Sequence, residues 1–178
     1  MAIQFPTGQF PELYTSRLHL RTLTTNDDEA IFALRSNEEI NRFIGRKAAQ
    51  SLTDATQFIH DRLLDIAANR GLYWAIELKS THQLIGTICY WNLNNDDNST
   101  EIGYELIPDM QGRGLMQEAI TAVTTWGFTI LNLDVITAFT SEGNHKSVKL
   151  LEKNKFIYNE IADGLLGYKL NKQTWQAN

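Results

Sequence analysis

The sequence predicts a mixed α/β fold built as one domain over residues 1–178. The apolar spacing switches between a period of two and a helical period, giving the order β-α-α-β-β-β-α-β-α-β-β. A length of 178 residues and a mass of 20.3 kDa suit one domain. A hydrophobic content of 43% with 10% aromatics supplies an ordinary core and argues against disorder. The chain carries no internal repeat, low-complexity tract or interdomain linker.

Residues 1–12 hold two of the three prolines and read as an irregular arm. Arg17 to Leu23 alternates polar and apolar residues, a half-buried strand with Leu18 and Leu20 inward. Thr25-Asn26-Asp27-Asp28 offers cap chemistry for a helix carrying Ala30, Ile31, Ala33 and Leu34. Ser51-Leu52-Thr53-Asp54 starts a longer helix with Phe58, Ile59, Leu63, Ile66 and Ala67 on one stripe, ending near Gly71. Leu72–Leu78, Leu84–Trp91 and Glu101–Ile107 read as an antiparallel meander, the last two joined by the turn-rich loop Asn92–Thr100. After Pro108, a Gly-containing turn opens a helix burying Leu115, Ala119, Ala122, Val123, Trp126 and Ile130. A strand at Val135–Thr140, a helix from Asn144 to Asn154, and strands at Phe156–Ile161 and Leu166–Leu170 complete the order.

Charge and composition narrow the function. Sixteen Lys and Arg against twenty-one Asp and Glu give a net charge of -5 and a pI near 5.3. A nucleic-acid partner is not expected, because neutralising phosphates calls for a basic excess. An acidic surface favours cationic partners such as amines. One cysteine, Cys89, excludes a disulfide framework and a multi-Cys metal site. No stretch reaches eighteen apolar residues and no signal segment is legible, so a cytoplasmic protein without membrane association is expected.

The sharpest local feature is Gln111-Gly112-Arg113-Gly114-Leu115-Met116, between a strand and a helix. Glycines there let backbone N–H groups approach a ligand, and a helix N-terminus adds about half a positive charge. Such a turn suits a phosphate or pyrophosphate. The same glycines also serve a tight strand-to-helix turn that binds nothing. No G-x-x-x-x-G-K-[ST] is present, and G-x-G lacks the third glycine and downstream acid of a dinucleotide fold.

The hexapeptide and the order of elements together resemble the GCN5-related N-acetyltransferase (GNAT) superfamily, whose phosphate loop is written [RQ]-x-x-G-x-[GA]. Gln111, Gly114 and Met116 take its three defined places, Met116 departing from the small residue of the general pattern. L-Y-T-S-R-L-H-L-R (Leu13–Arg21), E-I-G-Y-E-L-I-P (Glu101–Pro108) and N-H-K-S-V-K-L-L-E-K-N-K-F (Asn144–Phe156) resemble the RimJ/RimL-like branch, named for ribosomal-protein N-terminal acetylation. In the last segment Lys155 stands where that branch has Gly. The resemblance spans residues 13 to 175. It implies a central mixed, mostly antiparallel sheet of about seven strands with helices on both faces.

The resemblance implies acetyl-coenzyme A as cosubstrate, its pyrophosphate on the amides of Gln111, Gly112, Arg113, Gly114, Leu115 and Met116. It implies pairing of the pantetheine arm with backbone groups at Leu106 and Ile107, and an amide near Glu105 or Leu106 polarising the thioester carbonyl. Asn144 matches the Asn that holds the pantetheine arm, and Ser147, one turn on, would lie near the sulfur. Read from residues alone, Asn144 is a helix cap and Ser147 an exposed hydroxyl. Glu101 holds the place of a general base acting through water. Glu105, four residues on and so on the same face by alternation, would share its wall and raise its affinity for protons.

Six acids lie between Asp96 and Glu118 (Asp96, Asp97, Glu101, Glu105, Asp109, Glu118) against one base, Arg113, a patch expected to attract an ammonium group. Lys146, Lys149 and Lys153 form a helical stripe, read as a solvated basic face. Cys89 reads as a buried inert thiol. No metal is assigned, because His19, His60, His82 and His145 lack ligand spacing. Trp74 and Trp126 read as core, and Trp91 as a candidate wall of the acceptor site. The resulting expectation is transfer of acetyl to a primary amine by direct attack in a ternary complex, with a protein N-terminal α-amine as the leading acceptor. A small-amine acetyltransferase (polyamine or aminoglycoside type) and a non-catalytic acyl-coenzyme A sensor remain the alternatives, and the oligomeric state is not legible.

Overall fold

Residues 3–5 and 10–176 are described by the computed structural model. In chain order the strands are β1 (Leu13–Tyr14), β2 (Leu18–Thr22), β3 (Leu72–Leu78), β4 (Leu84–Asn94), β5 (Ser99–Leu106), β6 (Val135–Thr140), β7 (Ile157–Ala162) and β8 (Leu165–Asn171). The helices are α1 (Asp28–Ser36), α2 (Glu38–Asn41), α3 (Leu52–Ala67), α4 (Leu115–Thr129), α5 (His145–Lys153) and α6 (Lys172–Gln176). One sheet holds the strands in the order β1-β2-β3-β4-β5-β6-β8-β7. Every neighbouring pair is antiparallel except β5 with β6.

The sheet therefore has eight strands rather than about seven. The added one is β1, whose two residues are too few to show alternation. The four-residue α2 and five-residue α6 escape helical periodicity for the same reason. The arm before β1 is held at two points. The Ile3 and Phe5 amides donate to the Asn95 and Asn69 side chains, and both residues enter the core.

Side-chain caps start the helices where the sequence offers them. The Ser51 hydroxyl accepts from the Asp54 amide while the Asp54 carboxylate receives the Ser51 amide, a reciprocal cap at the start of α3. Helices then cover both sheet faces. Ile31 and Leu34 of α1 and Ala55 and Ile59 of α3 pack over Ala75 and Leu84. On the other face α4 buries Leu115, Met116, Ala119, Ile120, Val123 and Phe128 against Trp74, Ile88, Tyr90 and Ile102.

Beside α1 lies a buried charge network. Arg21 donates to both oxygens of Asp27 at 2.8 and 2.9 Å, and its Nε donates to Glu77 at 2.6 Å. Burial would raise the Asp27 carboxyl, but Arg21 and the Thr24 N–H more than offset it and hold it below the ordinary range. At Glu77, burial is likewise outweighed by Arg21 and His82. Acids with depressed folded pKa values stabilise above their unfolded values and lose that stability as pH falls through the folded ones. The thermal midpoint should thus hold above the ordinary values of 3.8 and 4.5 and fall below them. Arg21→Met, leaving two carboxylates without their cation, should cost about 3–5 kcal/mol in denaturant unfolding. A loss within 1 kcal/mol would show the network to be energetically idle.

Lys155 resolves the missing-glycine question. It takes φ +68°, so the turn after α5 keeps its left-handed shape without glycine. The other non-glycine residues at positive φ are Asn, Asp or His, types that tolerate this region. Lys155 carries the strain a glycine would remove.

Candidate active site

The site begins where β5 and β6 part. Their parallel pairing runs only through Ser99–Glu101 against Val135–Thr137. β5 stays paired with β4 as far as Leu106 on its other edge, so the backbone groups of alternate residues between Ile102 and Leu106 face an open gap. Burial follows the same alternation. Ile102, Tyr104 and Leu106 turn toward the α4 face and its core. Glu101, Gly103 and Glu105 turn toward α1 and α3.

The gap ends at residues 108–114, where Gly112 and Gly114 take φ +73° and +75°. Gly114 is the residue preceding α4, and this left-handed pair turns the chain so that successive amides face one way. None of the amides from Gly112 to Gln117 donates to another group among the described residues, and the first bond of the helix is Glu118 N–H to the Gly114 carbonyl. A Cβ at Gly112 would meet nothing within 4 Å, and one at Gly114 would meet only Arg17 Nη2 at 3.6 Å. The loop is anchored from behind. Arg17 donates to the Arg113 carbonyl at 3.0 Å and pairs with Glu118 at 2.7 Å, and Glu118 also receives the Thr15 hydroxyl. Leu115 and Met116 send their side chains into the core, so the bulky Met116 leaves the amide cradle clear. These residues fit a pyrophosphate.

Gln111 closes the mouth of the gap. Its Nε2 donates to the Leu106 carbonyl at 3.0 Å, and its Oε1 accepts from Lys146 of α5 at 3.0 Å. Both backbone groups of Ile107 are already used, its N–H by the Ile85 carbonyl and its carbonyl by the Met110 N–H. Ile107 is therefore a poorer backbone partner for a ligand than the residues before it. Asn144 caps α5, its Oδ1 accepting from the Ser147 amide at 3.2 Å. The Ser147 hydroxyl lies 2.9 Å from the Tyr104 hydroxyl and is thereby tied to β5. Burial pushes the Tyr104 phenol up to about 12, so it stays protonated at neutral pH. Sequence reasoning missed Tyr104, although alternation along β5 already sets it opposite Glu101.

Glu101 and Glu105 share a face but not a state. Burial raises the Glu101 carboxyl, and contacts with Asn92 and Trp91 partly oppose this. Its Oε2 accepts from Asn92 at 3.0 Å, and no Lys, Arg or His pairs with it among the described residues. Glu105 is committed elsewhere, 2.6 Å from Arg46 and 3.1 Å from the Thr87 hydroxyl. The expected mutual effect of two free carboxylates is thus absent, and burial is what perturbs Glu101. Nor do the six acids form one patch: Glu118 faces Arg17, Glu105 faces Arg46, and the Asp97 carboxylate receives the Ser99 hydroxyl.

Cys89 lies beside Gly103 on the Glu101 face, its thiol pushed up to about 12 by burial and so kept protonated. Trp91, the cross-strand partner of Glu101, is 47% exposed at the rim, while Trp74 is fully buried. A shallow groove of about 730 Å³ runs between β1 and the outer side of α4, lined by Tyr14, Gln117, Thr121 and Thr125 among others. It reaches the loop only at Gly114 and does not reach Glu101. No helix among the described residues is long and apolar enough to cross a membrane.

Known proteins share this architecture. Residues 17–157 match the family described as acetyltransferase (GNAT) domain. The chain is 40% identical over 147 residues to the uncharacterized N-acetyltransferase YoaA of Bacillus subtilis, covering 83% of each chain. It superposes on the ribosomal-protein-S5-alanine acetyltransferase of Vibrio fischeri with a TM-score of 0.79 and 20% identity, covering 93% of this chain and 98% of that one. Spermidine N-acetyltransferase of Vibrio cholerae, solved with CoA and spermine, superposes with a TM-score of 0.79 and 23% identity over 91% and 99% of the two chains. The chain belongs to the GNAT family and is an acetyl-coenzyme A-dependent N-acetyltransferase.

Proposed function

We propose that the protein transfers acetyl from acetyl-coenzyme A to a primary amine by direct attack in a ternary complex, with a protein N-terminal α-amine as the acceptor. The observation that carries this reading is the gap between β5 and β6, ending at a run of amides with no internal partner. A thioester supplies an acyl group activated toward amines, and the chain's own residues have four tasks around it.

The amides of Gly112 to Met116 bind the pyrophosphate, with the start of α4 adding its dipole. The open edge of β5, from Ile102 to the Leu106 N–H, orients the pantetheine arm, and Asn144 supports the arm from the start of α5. The Leu106 amide, which the register turns into the gap while that of Glu105 is turned toward β4, faces the thioester oxygen, where a fixed donor can be worth about 3 kcal/mol. Glu101 takes the ammonium proton through a water, its raised pKa bringing it closer to neutrality. On the opposite side of the gap, Ser147 passes a proton to the leaving sulfur as it receives one from the protonated Tyr104 hydroxyl, and Tyr104 regains its proton from water as the products leave. Base and acid thus work from opposite sheet faces. The proton-accepting side lies under α1 and α3, the proton-donating side beside α5.

The acceptor assignment draws on the resemblance to ribosomal-protein acetyltransferases among the solved structures. Titration calorimetry with acetyl-coenzyme A, followed by thiol release on adding unblocked peptides, tests the whole reading. Micromolar binding with peptide-dependent release is expected. Binding without release from any amine would leave only the sensor reading, and no binding by folded protein would remove both.

A further inference from the structure

Strands β1 and β2 form a hairpin whose turn is Thr15-Ser16-Arg17. The turn is firmly tied. The Thr15 N–H donates to the Leu18 carbonyl at 3.0 Å, and the Leu18 N–H donates to the Thr15 hydroxyl oxygen at 2.9 Å. Just past β3, Lys79 binds the turn twice more, its N–H donating to the Arg17 carbonyl and its ammonium to the Thr15 carbonyl.

This fixed turn grips Glu118, 101 residues away from Arg17 in the chain and in the first turn of α4. One carboxylate oxygen receives the Thr15 hydroxyl and the Arg17 N–H, and the other receives Arg17 Nε and Nη2. Burial would raise the Glu118 carboxyl, but Thr15 and Arg17 more than offset it and hold it below the ordinary range. Left free, a carboxylate at the start of a helix would compete with a pyrophosphate for the same amides.

The third guanidinium nitrogen, Nη1, donates to the Arg113 carbonyl at 3.0 Å. The peptide between Arg113 and Gly114 is trans, so its carbonyl and its N–H point in opposite directions. Holding the carbonyl toward Arg17 therefore turns the Gly114 N–H away from Arg17, where no group among the described residues accepts it. Gly112 and Gly114 flank Arg113 and place little steric restraint on this peptide, so its orientation has to be set from outside the loop.

Resting on the assignment of this loop to the pyrophosphate of acetyl-coenzyme A, we infer that Arg17 is a positioning residue for the cosubstrate. It holds the Gly114 N–H in its donating orientation and, with Thr15, keeps Glu118 from the amides that the phosphates need. Its guanidinium nitrogens are all committed to Glu118 and Arg113, so it acts through the loop rather than on the phosphates.

Two ligands and three variants test this. Acetyl-coenzyme A is titrated by calorimetry, and S-acetylpantetheine, which ends before the pyrophosphate, is read by its shift of the thermal midpoint at millimolar concentration. Arg17→Met should weaken acetyl-coenzyme A binding at least tenfold and leave the S-acetylpantetheine shift unchanged. Arg17→Lys keeps a charge for Glu118 but loses the planar fork that also reaches Arg113, and should recover part of the affinity. Arg17→Met combined with Glu118→Gln should also recover part, because the competing charge is gone while the carbonyl stays unheld. Should Arg17→Met lose its fold, the same comparison of ligands is made on Arg17→Lys. Unchanged acetyl-coenzyme A affinity, an equal loss for both ligands, or no recovery in either of the other variants would each overturn the inference. Wild-type protein that binds the two ligands equally well is a different result and removes the pyrophosphate assignment itself.

Discussion

Gly114→Asp is expected to weaken acetyl-coenzyme A binding at least a hundredfold while leaving the protein folded. Gly114 sits at φ +75°, where an L-residue costs about 1–2 kcal/mol, and Asp tolerates this region better than most. The new Cβ would meet only Arg17 Nη2, at an ordinary contact distance of 3.6 Å, so no backbone has to move. The larger effect is electrostatic. A carboxylate would sit among the unpartnered amides of Gly112 to Gln117 and compete for the donors a pyrophosphate needs. Gly114→Ala separates the two contributions, since it carries the same backbone strain without charge and should weaken binding less than tenfold. Calorimetry on both variants, with thermal midpoints as the folding control, reads the difference. Unchanged affinity in Gly114→Asp would end the assignment of this loop to phosphate.

Glu101→Gln should lower turnover about a hundredfold at neutral pH, in the range that general bases contribute. The amide keeps an oxygen for Asn92 to donate to, so the local geometry persists and only proton acceptance is lost. As pH rises toward the amine's own pKa the substrate arrives neutral, and the gap between variant and wild type should narrow. In the wild type, burial raises Glu101, so the acid limb of the rate profile should lie above the ordinary value of 4.5. A loss of equal size at every pH would instead assign Glu101 to binding or to strand integrity.

How far the sequence could be read depended on whether a feature was local. Val135–Thr140 matches the strand found because alternation is written into consecutive residues. The two glycines of the loop were legible because left-handed backbone selects for them, and Asn144 because capping is a local bond. Partnerships made across the fold were not. Glu105 looked like a free carboxylate beside Glu101 until Arg46, 59 residues away in the chain, proved to hold it. Tyr104 stood inside a quoted motif, yet its hydroxyl acquires a role only because α5 brings Ser147 within 2.9 Å.

The parting of β5 and β6 also bears on how the molecule avoids sticking to itself. An unpaired strand edge ordinarily invites any extended chain, including another copy of the same protein. Here the open edge lies inside the sheet, with β4 behind it, β6 across from it, and helices over both faces. The opening tapers from one strand spacing, about 4.8 Å, where Glu101 still pairs with Thr137. Another sheet is too broad to enter such a wedge, whereas a single thin arm with amides along its length is not. Geometry alone thus filters what can dock on this backbone, before any side chain takes part in recognition.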